Sequence, residues 1–247
     1  MRQTAAIQYQ RAAQARTPQI ARADVCVVIP AFNERLSLAT VLEALAPLPY
    51  RVIVVDDGST DDTAAVAHRF NVCVIRHAWN LGQGAALQTG IDYALRLPMT
   101  RYVVTFDADG QHRADDIPRV LAPLELGSHD VVLGSRFATG AAAIDVPPLR
   151  RLMLRAAVAF TRLTTRLRLT DTHNGVRAFT RAAASGLNIT QNRMAHASQI
   201  LSRVAELGLR YREVPVTVQY TPYSVAKGQT LLDALTIVWD IATARIR

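Results

Sequence analysis

The sequence is poor in cysteine and in lysine, and each shortage narrows the possible classes of protein. Cys26 and Cys73 are the only cysteines among 247 residues, and both lie inside apolar, strand-like runs. We expect them to be reduced, packed side chains of a cytoplasmic protein, which argues against a disulfide scaffold or a cysteine-ligated metal. Lys227 is the sole lysine, so the formal net charge of +8 comes almost wholly from arginine. An arginine excess suits phosphate-rich partners such as nucleotides, lipid phosphates, anionic membranes or nucleic acids.

The sequence also lacks a long hydrophobic run. Residues 1–23 are polar, rich in alanine and arginine and without an apolar centre. They predict a flexible or loosely docked leader rather than a signal peptide or a membrane span. The longest late apolar stretch, residues 231–243, contains Asp233 and Asp240 and is too short to cross a bilayer. Any contact with a membrane is therefore expected from one side.

The sequence does contain a regular alternation of apolar runs and helix-like segments. Half of its residues are hydrophobic, which is enough to bury the core of one α/β domain. Runs that are apolar on both faces and separated by helices predict a mostly parallel sheet covered by helices on both sides. The five predicted strands are residues 25–29, 51–55, 71–75, 102–106 and 130–134.

The later part of the chain follows a looser pattern. Residues 211–220 predict a late strand pair or an edge strand, because Pro215 cannot donate to a ladder. Residues 231–247 predict a C-terminal amphipathic helix. We see no repeat and no clear linker, so residues 24–230 are expected to form one domain between the leader and that helix.

Polar clusters follow the ends of the predicted strands. At residues 107–112 two carboxylates, Asp107 and Asp109, are followed by the amide of Gln111. These are hard oxygen ligands for Mg²⁺ or Mn²⁺, and a solvated Asp-Gly turn is the alternative. Ligands of such sheets bind outside the carboxyl ends of the strands, so one rim is expected to collect a nucleotide-type site. The clusters at that rim are residues 31–34, 56–57, 82–84, 107–112 and 135–136.

Six stretches together resemble the family-two glycosyltransferases, which have the Rossmann-like GT-A fold. Residues 134–137 and 171–179 are most similar to the branch with dolichol-phosphate mannose synthase and bacterial polyprenyl-phosphate glycosyltransferases. The other four stretches are residues 28–34, 54–61, 80–84 and 106–112. The resemblance covers roughly residues 24 to 230 and implies a GT-A domain with a nucleotide-sugar donor.

The resemblance implies a role for each cluster. Asp107, Asp109 and Gln111 would hold the Mg²⁺ or Mn²⁺ that bridges the donor's diphosphate and neutralises it as the sugar C1–O bond breaks. Glu34, Asp56 and Asp57 would bind the donor's base and ribose, and helix capping is the alternative role of these carboxylates. Gly82 and Gly84 would contact the donor, and a tight turn into a helix is their alternative role. The implied donor-binding residues are Pro30, Ala31, Glu34, Asp56, Asp57, Gly82, Gly84 and Asp107.

Arginines are the candidates for binding an acceptor phosphate. A lipid monophosphate, with a second pKa near ~6, is largely ionised at neutral pH and needs guiding cations more than a general base. Arginine forks suit phosphate oxygens, and solvated surface charge is the alternative. The implied acceptor residues are Arg136, Arg150, Arg151, Arg177 and Lys227. Arg136 and Arg177, with Asp107 and Asp109, form the predicted catalytic set.

One position departs from the resemblance. The segment around Gln199 often carries an acid in similar sequences; if that acid serves as a base or contacts the donor sugar, its loss would affect the rate or the choice of sugar. His196, in the same segment, is either a polar site residue or a hydrogen-bonded packing residue.

Residues 149–169 are the best candidate for membrane contact. Their apolar residues follow helical spacing and their arginines supply a basic surface, as in helices that lie on anionic lipid. The alternative is a helix packed on the domain with its arginines in water. The C-terminal helix could serve equally for a homo-oligomer or an integral-membrane partner.

Three functions remain compatible with the sequence. The first is a metal-dependent inverting glycosyltransferase that moves a sugar from a UDP- or GDP-linked donor to undecaprenyl or dolichyl phosphate. It would act as a peripheral protein on the cytoplasmic face of the membrane, in cell-envelope biogenesis. The second sends the sugar to a glycan or lipid-core hydroxyl, which requires a carboxylate base. The third is a non-catalytic basic module, but acidic clusters at the rim argue against binding of nucleic acid.

Overall fold

The computed structural model describes residues 24–144, 148–191 and 195–219. The predicted leader at 1–23, the predicted helix at 231–247 and Lys227 lie outside these residues. The strands are β1 (Val25–Ala31), β2 (Arg51–Asp56), β3 (Cys73–Arg76), β4 (Tyr102–Thr105), β5 (Val131–Ser135), β6 (Ala142–Ile144), β7 (Arg177–Thr180), β8 (Tyr211–Pro215) and β9 (Thr217–Gln219). The α-helices are α1 (Leu38–Leu45), α2 (Thr63–Ala67), α3 (Gln83–Arg96), α4 (Ile117–Glu125), α5 (Pro148–Thr165), α6 (Arg181–Ser185) and α7 (Ala195–Glu206).

Seven strands form one mostly parallel sheet in the order β3-β2-β1-β4-β7-β5-β8. Only β7 runs antiparallel to its neighbours, β4 and β5. The predicted α/β fold and the five predicted strands are confirmed, with strand boundaries shifted by at most two residues. The hydrophobic pattern does not predict β7, because two of its four side chains, Arg177 and Thr180, are polar.

Helices cover both faces of the sheet, and each strand contributes to both cores. In β1, Val27 and Ile29 pack towards α1 and α4, whereas Cys26 and Val28 pack towards α3. This side-to-side alternation in a fully apolar strand is the expected signature of a sheet buried on both faces. Both cysteines are unbridged, as predicted, and burial raises the pKa of the Cys26 thiol.

The late segments form the sheet edge and a small second sheet. β8 is the edge strand next to β5, and β9 pairs in parallel with β6, so the predicted late strands are confirmed. Val218 of β9 also forms an isolated bridge with His112, which ties this small sheet to the loop after β4.

The helix predicted at 149–169 is present as α5 and ends at Thr165. It stops there because Arg166 adopts a left-handed conformation with φ of 60°. Phe160 and Leu163 of α5 are 42% and 82% exposed. In the described part of the chain, no helix combines the length and apolar character that a membrane span requires.

Candidate active site

A cleft of about 430 Å³ opens at the carboxyl ends of the central strands. This is the rim at which the sequence predicts a site. Of the residues predicted for that site, the cleft is lined by Pro30, Ala31, Glu34, Asp57, Gly82, Asp107, Asp109, Gln111, Arg136 and Arg177. Arg150 and Arg151 lie on α5 at positions whose side chains are outside the described set.

Asp56 and Gly84 do not line the cleft, unlike Asp57 and Gly82, so a contact of either with the donor stays a prediction. Asp56 is fully buried, accepts from the Ser59 backbone N–H at 3.1 Å and pairs with Arg76 at 3.1 Å. Gly84 lies so close to the Gln191 carbonyl that a Cβ would overlap it. The carboxylate therefore shapes a loop, and the glycine permits close packing of α3.

Asp57 holds the loop that leads into α3. Its Oδ1 accepts from the Leu81 backbone N–H at 2.9 Å and lies 2.7 Å from Nδ1 of His77, while its Oδ2 accepts from the Gly82 backbone N–H at 2.7 Å. Gly82 has a φ of 96°, a conformation that favours glycine. Both carboxylate oxygens thus have partners within the protein, and Asp57 shapes the cleft wall at Gly82.

The two carboxylates after β4 differ in their electrostatic environment. Burial alone would raise the pKa of Asp107, but the hydrogen bond and charge of His112, with the charge of Arg177, hold it below its ordinary value. The distance from Asp107 Oδ2 to His112 Nε2 is 3.2 Å. At Asp109, burial and the neighbouring charge of Asp107 raise the pKa to about 6. The cleft therefore holds two close carboxylates, of which Asp109 is poorly compensated by protein cations.

This donor set fits a divalent metal that is shared with a substrate. Among the described residues, no group of three or more His, Cys, Asp and Glu side chains could hold a metal by itself. Mg²⁺ is commonly bound by one or two carboxylates together with substrate phosphates, and Mn²⁺ prefers similar oxygen ligands. The Asp107 and Asp109 carboxylates, with the Gln111 side chain in the same cleft, match that arrangement.

Arg136 and Arg177 reach the cleft but are mostly buried, 5% and 4% exposed. Arg136 Nε donates to Asp171 Oδ2 at 2.6 Å, and its backbone N–H donates to the same oxygen at 3.1 Å. Arg177 donates to the Thr172 carbonyl at 3.2 Å. Burial lowers the pKa of Arg177 to about 10, although Asp107 and Asp171 oppose this shift, so the guanidinium stays charged at neutral pH. Both arginines thus bind the loop before β7 while facing the cleft.

Residues 170–176, which we call the β7 loop, form a cleft wall that the strand pattern misses. Asp171 is 3% exposed, and burial lowers the pKa of His173 to about 4, so its imidazole is neutral at pH 7. Gly175 lies directly against the Asp107 carboxylate, and its carbonyl accepts from Thr105 Oγ1 at 2.7 Å. The only sequence signal was the stretch at 171–179 that carries the family resemblance.

Gln199 lies away from the cleft. Its Oε1 accepts from the backbone N–H groups of Thr190 and Gln191 at 3.0 and 2.8 Å, and its Nε2 donates to the Asn188 carbonyl at 3.3 Å. The side chain therefore organises the loop before α7. His196 of the same helix is 5% exposed and lines the cleft.

Comparisons with known proteins identify the family of the chain. The profile of Glycosyl transferase family 2 matches residues 26–185. A UDP-N-acetylglucosamine–dolichyl-phosphate N-acetylglucosaminyltransferase of Methanococcus voltae is 30% identical over 237 residues, covering 88% of this chain and 94% of its own. An undecaprenyl-phosphate mannosyltransferase of Micrococcus luteus is 30% identical over 203 residues, covering 78% and 82%.

A solved structure shows the same fold. The glucosyl-3-phosphoglycerate synthase of Mycobacterium tuberculosis, with Mn²⁺ and UDP-glucose, superposes with a TM-score of 0.62 at 22% identity, over 83% of this chain and 74% of that chain. The likeness supports the GT-A architecture, while the family profile and the two sequence relatives cover most of the chain. The chain therefore belongs to glycosyl transferase family 2.

Proposed function

We propose that the protein is a metal-dependent inverting glycosyltransferase that moves a sugar from a nucleotide-sugar to a polyprenyl phosphate. The observation that carries the proposal is that the Asp107 and Asp109 carboxylates both line the cleft, where protein cations compensate the negative charge of Asp109 poorly. The two relatives named for dolichyl-phosphate and undecaprenyl-phosphate transfer support the acceptor class.

The donor side of the cleft is the rim formed by β1, β2 and the start of α3. Pro30, Ala31 and Glu34 line it at the end of β1. Their backbone and carboxylate groups would bind the base and ribose. Bound Mg²⁺ or Mn²⁺, held by Asp107, Asp109 and Gln111, would neutralise the diphosphate as it leaves.

The acceptor class follows from the carboxylates that line the described cleft. Asp57 accepts from backbone N–H groups through both of its oxygens, Glu34 lies on the proposed donor rim, and Asp107 and Asp109 are assigned to the metal. Each carboxylate of the described cleft thus already has a proposed role other than that of a general base for a neutral hydroxyl. A phosphate acceptor needs no such base, because it is already ionised at neutral pH. The positive field of Arg136 and Arg177 would orient it.

The membrane contact is assigned to α5. Phe160 and Leu163 are exposed beside the exposed arginines Arg155 and Arg162, a combination suited to the surface of anionic lipid. Each suitably placed basic residue contributes about 1 kcal/mol to such binding. We propose that the protein is peripheral, on the cytoplasmic face where nucleotide-sugars are available.

The test is a transfer assay. The purified protein is incubated with Mg²⁺ or Mn²⁺, radiolabelled UDP- and GDP-sugars and undecaprenyl phosphate, and label is counted in the organic phase. Metal-dependent lipid label from one donor is expected and would identify the base and the sugar. Donor binding without lipid label would instead point to a glycan or lipid-core hydroxyl as acceptor.

Replacing Asp109 by asparagine is expected to lower transfer about 100- to 1,000-fold, because the metal loses a charged ligand where transition-state charge develops. Mn²⁺ binding, measured by electron paramagnetic resonance, should weaken in parallel. The control is Asp115→Asn, since Asp115 has an 81% exposed side chain on the following turn. Wild-type Mn²⁺ affinity in the Asp109 variant would contradict the assignment.

Replacing Gln199 by glutamate tests whether an acid at this position contributes to catalysis. Glutamate keeps the two acceptor bonds but cannot donate to the Asn188 carbonyl, so we expect a loss of about 1 kcal/mol in the free energy of unfolding. The turnover number should stay within about twofold of wild type, because the side chain does not line the cleft. Urea denaturation and the transfer assay measure the two effects. A clear rise in turnover would show that the acid has a catalytic role.

A further inference from the structure

Glu213, on the edge strand β8, binds the β7 loop from outside the cleft. Its Oε1 and Oε2 each lie 2.8 Å from the Thr170 backbone nitrogen, which donates to both. The Thr170 hydroxyl donates to Oε2 at 2.9 Å, and the Asp171 backbone N–H donates to Oε1 at 3.0 Å. One half-buried carboxylate therefore accepts from two consecutive backbone groups and one side chain. Hydrogen bonds to an ionised acceptor are about twice as strong as neutral ones, so this contact fixes the start of the loop firmly.

The start of the β7 loop determines where the rest of the loop lies. Asp171 follows the Glu213 contact directly and binds Arg136 through its Oδ2, while its Oδ1 accepts from the His173 backbone N–H at 3.2 Å. Four residues further on, Gly175 packs against the Asp107 carboxylate. The loop is thus attached at one end to an edge strand and at the other to a predicted metal ligand.

Glu213 itself does not line the cleft. Its effect on any reaction has to pass through Thr170 and Asp171. Partial burial of the Glu213 carboxylate costs free energy, and β8 does not need a charged side chain at this position in order to form. Three donors of Thr170 and Asp171 converge on the carboxylate and offset that cost, so the charge stabilises the start of the β7 loop.

We propose that Glu213 is a positioning residue of the transfer reaction, which holds the β7 loop so that Arg136 and Asp107 keep their reactive geometry. The proposal rests on the proposed function and names a residue that acts on that site from a distance. A misplacement of about 1 Å in a catalytic arrangement can lower a rate about 100-fold, so a loosened loop should reduce turnover more than donor binding. The donor rim at β1 does not contact the loop through Glu213 and should keep its affinity.

The test compares Glu213→Gln with Asp130→Asn. Glutamine keeps the shape of the side chain but replaces one carboxylate oxygen by an NH2 group. Because both oxygens of Glu213 accept from the Thr170 N–H, that NH2 group faces the Thr170 donor in either orientation of the amide. Asp130 pairs with Arg210 at the same β5–β8 edge, at 2.8 Å, and has no contact with the β7 loop among the described hydrogen bonds, so its variant controls for edge-strand stability. Glu213→Asp keeps the charge on a shorter side chain and serves as the conservative variant.

Three readouts are expected to move together in Glu213→Gln. Amide hydrogen exchange of residues 170–176 should rise at least tenfold, the Mn²⁺ dissociation constant should rise at least threefold, and kcat should fall about 10- to 100-fold with the donor KM within threefold. Glu213→Asp should recover part of kcat, and Asp130→Asn should change none of the three. If Glu213→Gln does not fold, Glu213→Asp is measured alone and must show the same changes at smaller size.

The outcomes separate this proposal from the proposed function. A wild-type protein without lipid label overturns the proposed acceptor, while hydrogen exchange and Mn²⁺ affinity still decide the role of Glu213. Faster exchange with unchanged kcat and unchanged Mn²⁺ affinity overturns the positioning role. Equal effects of Glu213→Gln and Asp130→Asn would assign both acids to general stability of the edge and overturn it as well.

Discussion

Replacing Gly175 by alanine is expected to abolish most of the transfer activity, with a loss of at least about 100-fold. A Cβ at this position would overlap the Asp107 carboxylate, and because Thr105 Oγ1 donates to the Gly175 carbonyl and holds the backbone in place, the carboxylate is the group that has to shift. The carboxylate would therefore move away from its position beside Asp109. Since the clash involves a side chain at the cleft surface, we expect the overall fold to persist.

The measurement is the rate of lipid labelling together with the Mn²⁺ affinity and the circular dichroism spectrum. Gly186→Ala is the matched control, because a Cβ there would meet the end of the flexible Leu207 side chain at 2.8 Å and the Ala183 carbonyl oxygen at an ordinary contact distance of 3.6 Å. Retention of more than a third of the wild-type rate in Gly175→Ala would show that the close approach of Gly175 to Asp107 is not needed for transfer.

Replacing Asp171 by asparagine is expected to give the largest loss of stability, about 3 kcal/mol in the free energy of unfolding. The side chains of the Arg136–Asp171 pair are 4% and 0% exposed, so the arginine would remain buried without its carboxylate. Burial alone would raise the pKa of Asp171, but the charge and hydrogen bonds of Arg136 outweigh it and lower the pKa. The stabilisation is therefore complete above the ordinary aspartate pKa of ~3.9 and is lost only as the pH falls through the lower, folded-state value.

Urea denaturation at neutral pH measures the effect, and the exposed pair of Asp130 and Arg210 gives the comparison. Asp130→Asn should change the midpoint far less, because solvent screens that pair. The double variant Asp171→Asn with Arg136→Gln should be more stable than Asp171→Asn alone, since it removes the buried charge. A single variant as stable as wild type would mean that water reaches Arg136.

The sequence pattern predicts well where the strands end, but it predicts poorly which partners the side chains contact when those partners are distant in sequence. The position of Asp107, Asp109 and Gln111 at the cleft could be predicted because all three follow the recognisable apolar strand β4, and parallel strands end at one rim. The partner of Arg136 could not be found in this way, because Asp171 lies 35 residues away in a loop without hydrophobic periodicity. Asp57 shows a further limit, since the sequence identifies a carboxylate at the rim but not the backbone groups of Leu81 and Gly82 that bind it.

The position of β7 also has a consequence for how the chain folds. β7 lies between β4 and β5, yet it follows both in sequence, and its pairing joins Tyr102 to Thr180 and Val131 to Phe179. During synthesis, β4 and β5 are made first and each has an unpaired edge until β7 is inserted. Such edges favour pairing with other chains, and contacts over this sequence separation form slowly. We therefore expect the nascent protein to be prone to aggregation until the strand carrying Arg177 pairs with β4 and β5.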